Sequence, residues 1–436
     1  MSAFVTLIAV PRDRRARLAL GACLLSFTAF WIAQRAAHVS LVDLMVYRAE
    51  GATVRAGGDL YALRATRARL PATYPPFAAL LFVPLTLPGA GTARTLATAG
   101  NLALVVAFAG LALRLVGHRR REGVWWVAAA SVWCEPVWTT LRYGQINLLI
   151  AVLVLWDLTR RPGHRWAGLG IGIAAAIKLT PALFAVFLLV TALTARTGRH
   201  SGEPWLGHAR GAAVAFAGAT LSAAALLPHD SWRFWTRIVF EAERAGLAEN
   251  TANQSLRGLL ARLLHTPDPG WWWVAAAACA GAAGLAVSVA AELRGHRSWA
   301  TAACAATALL VSPVSWSHHW VWCVPMALVA AAEVPRRAGW AALVFCSYAP
   351  WWVPHGPGRH ELRQTGAELT LSALYAAAAL GFLALTAARV ARSGPDGGLR
   401  PSRTSRTASE CSARPGVARR WAHPPTPGRS RSDRLL

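Results

Sequence analysis

The arginines decide what this chain can fold into. They stand in short clusters, His118-Arg119-Arg120-Arg121, Arg160-Arg161, Arg196 to Arg210, Arg294 to Arg297 and Arg336-Arg337, with long apolar runs between them. About 20 apolar residues cross the hydrocarbon of a bilayer, and Lys and Arg in short loops stay on the cytoplasmic side. Apolar runs occupy 18–37, 76–90, 92–116, 124–141, 145–159, 166–195, 211–228, 270–293, 298–313, 320–333, 338–353 and 369–389. Of 436 residues, 55% are apolar and 15% charged, where soluble chains carry about 25% charged residues. That balance excludes a soluble enzyme and a disordered scaffold. It also excludes a nucleic-acid-binding domain, despite the net charge of +25.

The pattern predicts an all-α polytopic protein of the cell membrane with about 12 transmembrane or re-entrant helices, 10 to 13 being allowed. The cluster around Arg12 to Arg17 holds the N-terminus inside. Two runs leave their crossing number open. Run 76–90 is short and bounded by Pro75-Pro76 and Pro88, so it either dips into the membrane or lies at its interface. Run 166–195 carries Lys178-Leu179-Thr180-Pro181 at its middle and basic residues at both ends, which reads as a hairpin of two short helices. Residues 1–390 form the membrane domain, with outward loops at 38–75 and 229–269. Residues 391–436 read as a disordered basic cytoplasmic tail suited to anionic lipid. The seven cysteines contain no C-x-x-C pair, and no Walker loop, Rossmann fingerprint or H-E-x-x-H occurs. No metal or soluble cofactor is expected. The cytoplasmic loops are too short for a nucleotide pocket, so any donor substrate should be a membrane lipid.

Polar groups in or beside spans often mark sites. Asp43, six residues beyond the first span, suits a general base at the membrane surface, or caps an interfacial helix. Glu50 falls seven residues on, near the same helix face. Lys178 is the only lysine beside 44 arginines (45 basic residues less one). It suits a lipid-linked phosphate as a point charge, or snorkels to the interface. Arg142 with Gly144-Gln145-x-Asn147 forms an outward turn that can fork a phosphate and bind sugar hydroxyls, or caps a helix. His318 and His319 follow a proline-broken helix end among Trp316, Trp320 and Trp322. Adjacent residues point apart on a helix, so a phosphate or hydroxyl contact suits them better than a metal. The tryptophans stack on sugars or form an interface belt. Asn250, Asn253, Gln254 and Ser255 suit a carbohydrate or a lipid headgroup, or a solvated helix start.

Taken in order, Val42-Asp43-Leu44-x-Val46-Tyr47, Tyr74-Pro75-Pro76, Gly144-Gln145-Ile146-Asn147, Ala176-Ile177-Lys178-Leu179-Thr180-Pro181, Asn253-Gln254-Ser255 and Ser312-Pro313-x-x-Trp316-x-x-His319 resemble glycosyltransferase family 87. The resemblance covers roughly 40–330. It implies a GT-C fold, an extracytoplasmic active site, a polyprenyl phosphomannose donor, an inverting α-1,2 transfer and Asp43 as catalytic base. The acceptor, a glycolipid or glycan, is left open. On that footing Lys178, Arg142, His318 and His319 are the expected contacts to the donor phosphate. Glu50, Tyr74, Gln145, Asn147, Asn253 and Trp316 are the expected contacts to the sugars. A transporter or flippase of a lipid-linked sugar is the competing class. Against it stand the lack of an internal repeat and the gathering of polar groups at one face. Within the enzyme class another polyprenyl-phosphate sugar, such as arabinofuranose, remains open.

Overall fold

The computed structural model describes residues 12–160, 163–197 and 202–393. Helix α1 (Arg12–Ala36) leads into α2 (Val42–Arg55), a two-residue hairpin of β1 (Arg64–Ala65) and β2 (Leu70–Pro71), and the short α3 (Pro76–Phe82). Then come α4 (Ala90–Leu115), α5 (Arg121–Ser131), α6 (Glu135–Tyr143), α7 (Asn147–Leu158), α8 (Leu169–Ile177) and α9 (Ala182–Thr197). The second half holds α10 (Glu203–Leu226), α11 (Pro228–Thr236), α12 (Leu256–Leu263), α13 (Gly270–Leu293), α14 (Arg297–Val311), α15 (Cys323–Glu333), α16 (Arg336–Cys346), α17 (Gly366–Ser372) and α18 (Leu374–Arg392).

Among the described residues, five helices are long and apolar enough to cross a membrane alone: most of α1, with α4, α10, α13 and α18. A sixth crossing arises if α6 and α7, bent by 118° at their junction, count as one span. The molecule is therefore an all-helical membrane protein. Exposed Leu24, Leu25, Ile32, Val214 and Leu221 on these helices suit a lipid solvent.

Several expectations are refined. Run 124–141 is two helices, broken at Val132-Trp133-Cys134 where Pro136 opens α6. Run 76–90 is the seven-residue α3 plus a 3-10 turn over Val83–Thr86. At 1.5 Å per residue α3 is too short to cross. The stretch 229–269, read as a loop, contains α12 and most of α11. The tail was expected to be disordered from 391, but α18 runs to Arg392; residues 394–436 lie outside the described residues.

Run 166–195 breaks where expected. Thr180 precedes Pro181, which disfavours the helical conformation, and Lys178 stands extended at φ −151° as the C-cap of α8. The far end of α8 is fixed by the buried Asp157, whose oxygens accept the Gly168 and Ile171 amides at 2.8 and 3.1 Å. Helix α14 is alanine-rich and buried from Trp299 to Leu310, the small residues letting its neighbours approach on every side. Next to its C-terminal end, a 3-10 helix over Ser317–Trp322 packs against α6. Their junction is the buried carboxylate of Glu135. Its Oε1 accepts from the Thr139 hydroxyl (2.7 Å), the Ser317 hydroxyl (2.8 Å) and Trp351 Nε1 (3.1 Å), and its Oε2 from the Tyr375 hydroxyl (2.9 Å).

Candidate active site

Helix α2 places Val42, Asp43, Val46, Tyr47 and Glu50 along one wall of a cavity of about 1070 Å³. The offsets i, i+3, i+4 and i+7 are those of one helical face. Asp43 does not cap the helix. Leu41 holds the N-cap position in a left-handed conformation (φ 50°) with no side-chain cap bond, and Asp43 sits in the first turn. That leaves its carboxylate for the cavity.

Gly144 allows the opposite wall to come close. It closes α6 at φ +70°, and a Cβ there would lie 2.8 Å from the Leu44 Cβ. Only glycine satisfies both demands. The next residue, Gln145, donates from Nε2 to Asp43 Oδ2 at 2.6 Å, and its Oε1 accepts from the hydroxyls of Tyr47 (2.7 Å) and Tyr74 (3.3 Å). Gln145 thus orients the carboxylate instead of standing free for a sugar. Burial first, opposed by the Gln145 bond and the charge of Lys178, pushes the Asp43 carboxyl up to about 6. A base in that range is stronger than an ordinary aspartate and still ionised at pH 7.

Lys178 and both histidines line the same cavity. The ammonium lies 2.8 Å from His319 Nε2, donates to Asn147 Oδ1 at 3.3 Å and sits 5.5 Å from the centre of the Tyr74 ring. His319 Nδ1 accepts the Trp316 amide at 3.2 Å, so the neutral ring carries its proton on Nε2, towards Lys178. Across 2.8 Å one of these two nitrogens donates and the other accepts, and both line the cavity wall, where their remaining N–H capacity makes a place for an anion. His318 Nε2 is buried without a partner. Adjacent histidines were expected to diverge, yet in the 3-10 helix their ring centres are 4.8 Å apart and both reach the cavity. Among the described residues no group of three or more His, Cys, Asp and Glu side chains is placed to hold a metal ion.

Three expected site residues are placed elsewhere. Arg142 is exposed and does not line the cavity; one position, about 100° around the helix, separates it from Tyr143, which does. Asn147 has both ends of its amide engaged, by Lys178 and by the His318 carbonyl at 3.0 Å, so it holds the cationic wall in place. Asn253 is fully buried, its Nδ2 donating to the Ala248 carbonyl and its Oδ1 accepting the Ser315 and Ser255 amides. It ties the 229–269 stretch to the segment before the histidines, while Ser255 caps α12 through the Gly258 amide. Of that polar run, Asn250 alone among the four named residues lines the cavity. Trp316 does line it, packed so closely on Gly246 (φ +129°) that a Cβ there would lie 2.9 Å from the indole.

Other cavity residues were not foreseen as site residues. Tyr47 follows Asp43 by one turn, so helical periodicity was a sufficient signal. Arg244, Trp351 and His355 arrive from remote segments, and no local pattern points to them.

The helical membrane bundle and its carboxylate-bearing, cation-lined cavity define an integral-membrane protein with an enzyme's cleft. The chain belongs to glycosyltransferase family 87, whose model matches residues 72–313, more than half its length. It is 35% identical over 298 residues to the polyprenol-phosphate-mannose-dependent alpha-(1-2)-phosphatidylinositol mannoside mannosyltransferase of Mycobacterium tuberculosis, covering 64% of this chain and 66% of that one, just under two thirds. It is 34% identical over 331 residues to the corresponding phosphatidylinositol pentamannoside mannosyltransferase of the same species, covering 72% and 73%. The phosphatidylinositol mannoside enzyme of Mycolicibacterium smegmatis is 35% identical over 324 residues, covering 68% and 71%. No solved structure matches the chain.

Proposed function

We propose that this protein transfers a mannosyl residue from polyprenyl phosphomannose to a glycolipid or glycan acceptor at the extracytoplasmic face of the cell membrane, with inversion and an α-1,2 linkage. The observation that carries the reading is the meeting, in one cavity, of the Asp43 carboxyl with the nitrogens of Lys178, His318 and His319. Relatives named for a polyprenol-phosphate-mannose donor and a phosphatidylinositol mannoside acceptor support it. In this reading the chain adopts a GT-C arrangement of about 12 passes, the shorter helices supplying those beyond the five long ones.

The reaction is a single displacement. Asp43 removes the proton of the acceptor hydroxyl as that oxygen attacks the anomeric carbon. The C–O bond to phosphate breaks on the opposite face, so a β-linked donor yields an α-mannoside. Phosphate is a good leaving group and needs no strong general acid. Lys178 and His319, with His318 beside them, stabilise its charge, a task for which one positioned donor typically contributes about 10²–10³ in rate. Tyr74 and Trp316 present rings to the sugars. Polyprenyl lipid, acceptor and membrane are the only partners required.

The test supplies the purified protein in vesicles with radiolabelled polyprenyl phosphomannose, polyprenyl phosphoarabinofuranose and a phosphatidylinositol mannoside. Label appearing in the acceptor from the mannosyl donor alone is the expected result. Label from the arabinofuranosyl donor alone would replace the sugar. Donor that changes leaflet with its glycosidic bond intact would place the protein among the flippases.

A further inference from the structure

Glu50 is the most conspicuous group that the displacement leaves unused. It is 1% exposed, its Oε1 has no hydrogen-bond partner, and its side chain lines the catalytic cavity. A dry, unpaired carboxyl oxygen costs stability, so a ligand that satisfies it is well rewarded. Its place is held firmly: the next residue, Gly51, lies so close to the backbone at Phe82 that a Cβ would approach the Phe82 carbonyl to 2.5 Å. That close packing of α2 on the end of α3 sets which face of α2 carries Glu50 to the cavity. The offset of seven residues from Asp43 sets the two α-carbons about 10 Å apart along the helix, on one face. That separation is the reach of two linked sugar rings.

We propose that Glu50 reads the acceptor: while Asp43 meets the attacking hydroxyl, the Glu50 carboxyl binds hydroxyls of the neighbouring sugar and so selects acceptors that already carry a glycan. The assignment rests on the transferase reading above. Its chemistry depends on which form of the carboxyl is present. Asp43 and Tyr47 on its own helix and Tyr61 and Tyr74 from the following loop interact with it electrostatically. Helix α3, packed on Gly51, brings no titratable group. Lys178 and Arg244 line the same cavity but act on Asp43 and Tyr61. Burial, with the charge of Asp43 second, pushes the Glu50 carboxyl up to about 8. Near pH 7 it therefore keeps its proton and offers one O–H donor and one carbonyl acceptor, the pair a vicinal diol needs. Above pH 8 it becomes a second anion beside the base and loses the donor.

The experiment measures transfer with polyprenyl phosphomannose and a phosphatidylinositol mannoside, varying each in turn across pH 6 to 9. Glu50→Ala is expected to raise the acceptor KM about tenfold, the worth of one hydrogen bond to a buried group, while the donor KM moves less than twofold. Glu50→Gln, which keeps a donor and an acceptor but cannot ionise, is expected to raise the acceptor KM about threefold and to abolish the wild-type rise of that KM above pH 8. Equal changes in the donor and acceptor KM, or an alkaline rise that survives in Glu50→Gln, overturn the proposal. If Glu50→Ala fails to fold, the Glu50→Gln profile decides alone. A wild-type protein inert towards polyprenyl phosphomannose removes the transferase reading and this inference with it, whereas an active one indifferent to Glu50 removes only the inference.

Discussion

Two buried carboxyl groups in this molecule are treated in opposite ways. Glu135 is wrapped by four donors from α6, the 3-10 helix before α15, the segment at Trp351 and α18. Glu50, equally dry, lines a cavity, and its Oε1 has no hydrogen-bond partner. A saturated buried carboxyl group is architecture, because each donor has found its acceptor and none is left to offer. An unsaturated one stores an interaction for something that enters. The same contrast divides the nitrogens. The side-chain nitrogens of Asn147 and Asn253 donate to backbone carbonyls, and His318 Nε2 has no partner.

That contrast breaks first at Asp43. Asp43→Asn keeps the shape and the Gln145 contact but cannot take a proton, so transfer is expected to fall about 10²–10⁴-fold in a protein of unchanged thermal stability. Full transfer by the folded variant would remove Asp43 from the chemistry. The raised carboxyl adds a pH signature: wild-type transfer should decline as pH falls through about 6, because protonation of Asp43 removes the base. Next, Lys178→Ala should lower transfer about 10²–10³-fold, with the loss concentrated in use of the donor; equal loss towards donor and acceptor would make Lys178 structural.

Glu135→Ala sharpens the comparison from the other side. It strands up to four buried donors, and the stability lost should be about 2–4 kcal/mol, seen as a lower thermal midpoint in detergent, with little change in the acceptor KM. An acceptor KM that climbs while stability holds would move Glu135 into the site. The smallest effect belongs to Arg142→Ala. An exposed side chain away from the cavity should leave transfer within about twofold of wild type, and a tenfold loss would restore it to the donor site.

Much of the cavity is legible in the sequence. Asp43 and Glu50 share a helical face by spacing, Lys178 stands out as the lone lysine at a Pro-broken run, and Gln145 follows a glycine turn. Spare hydrogen-bonding capacity is not legible there. Asn253 and Asn147 carry the amides a sugar would want, and sequence cannot tell whether a backbone group has already claimed them. Arg142 illustrates a second limit of local pattern. Its charge suits phosphate, but which side of α6 meets the cavity depends on how that helix packs against α2 and the 3-10 helix at Ser317–Trp322.

Local rules thus determined the membrane class, the break at Lys178, the helical face of α2 and the need for glycine at 144, because apolar length, proline geometry and helical period act over a few neighbouring residues. Tertiary structure alone decided which polar groups are spent and which are free. That accounting pairs residues as far apart as Glu135 and Tyr375, and it is settled only when their elements meet.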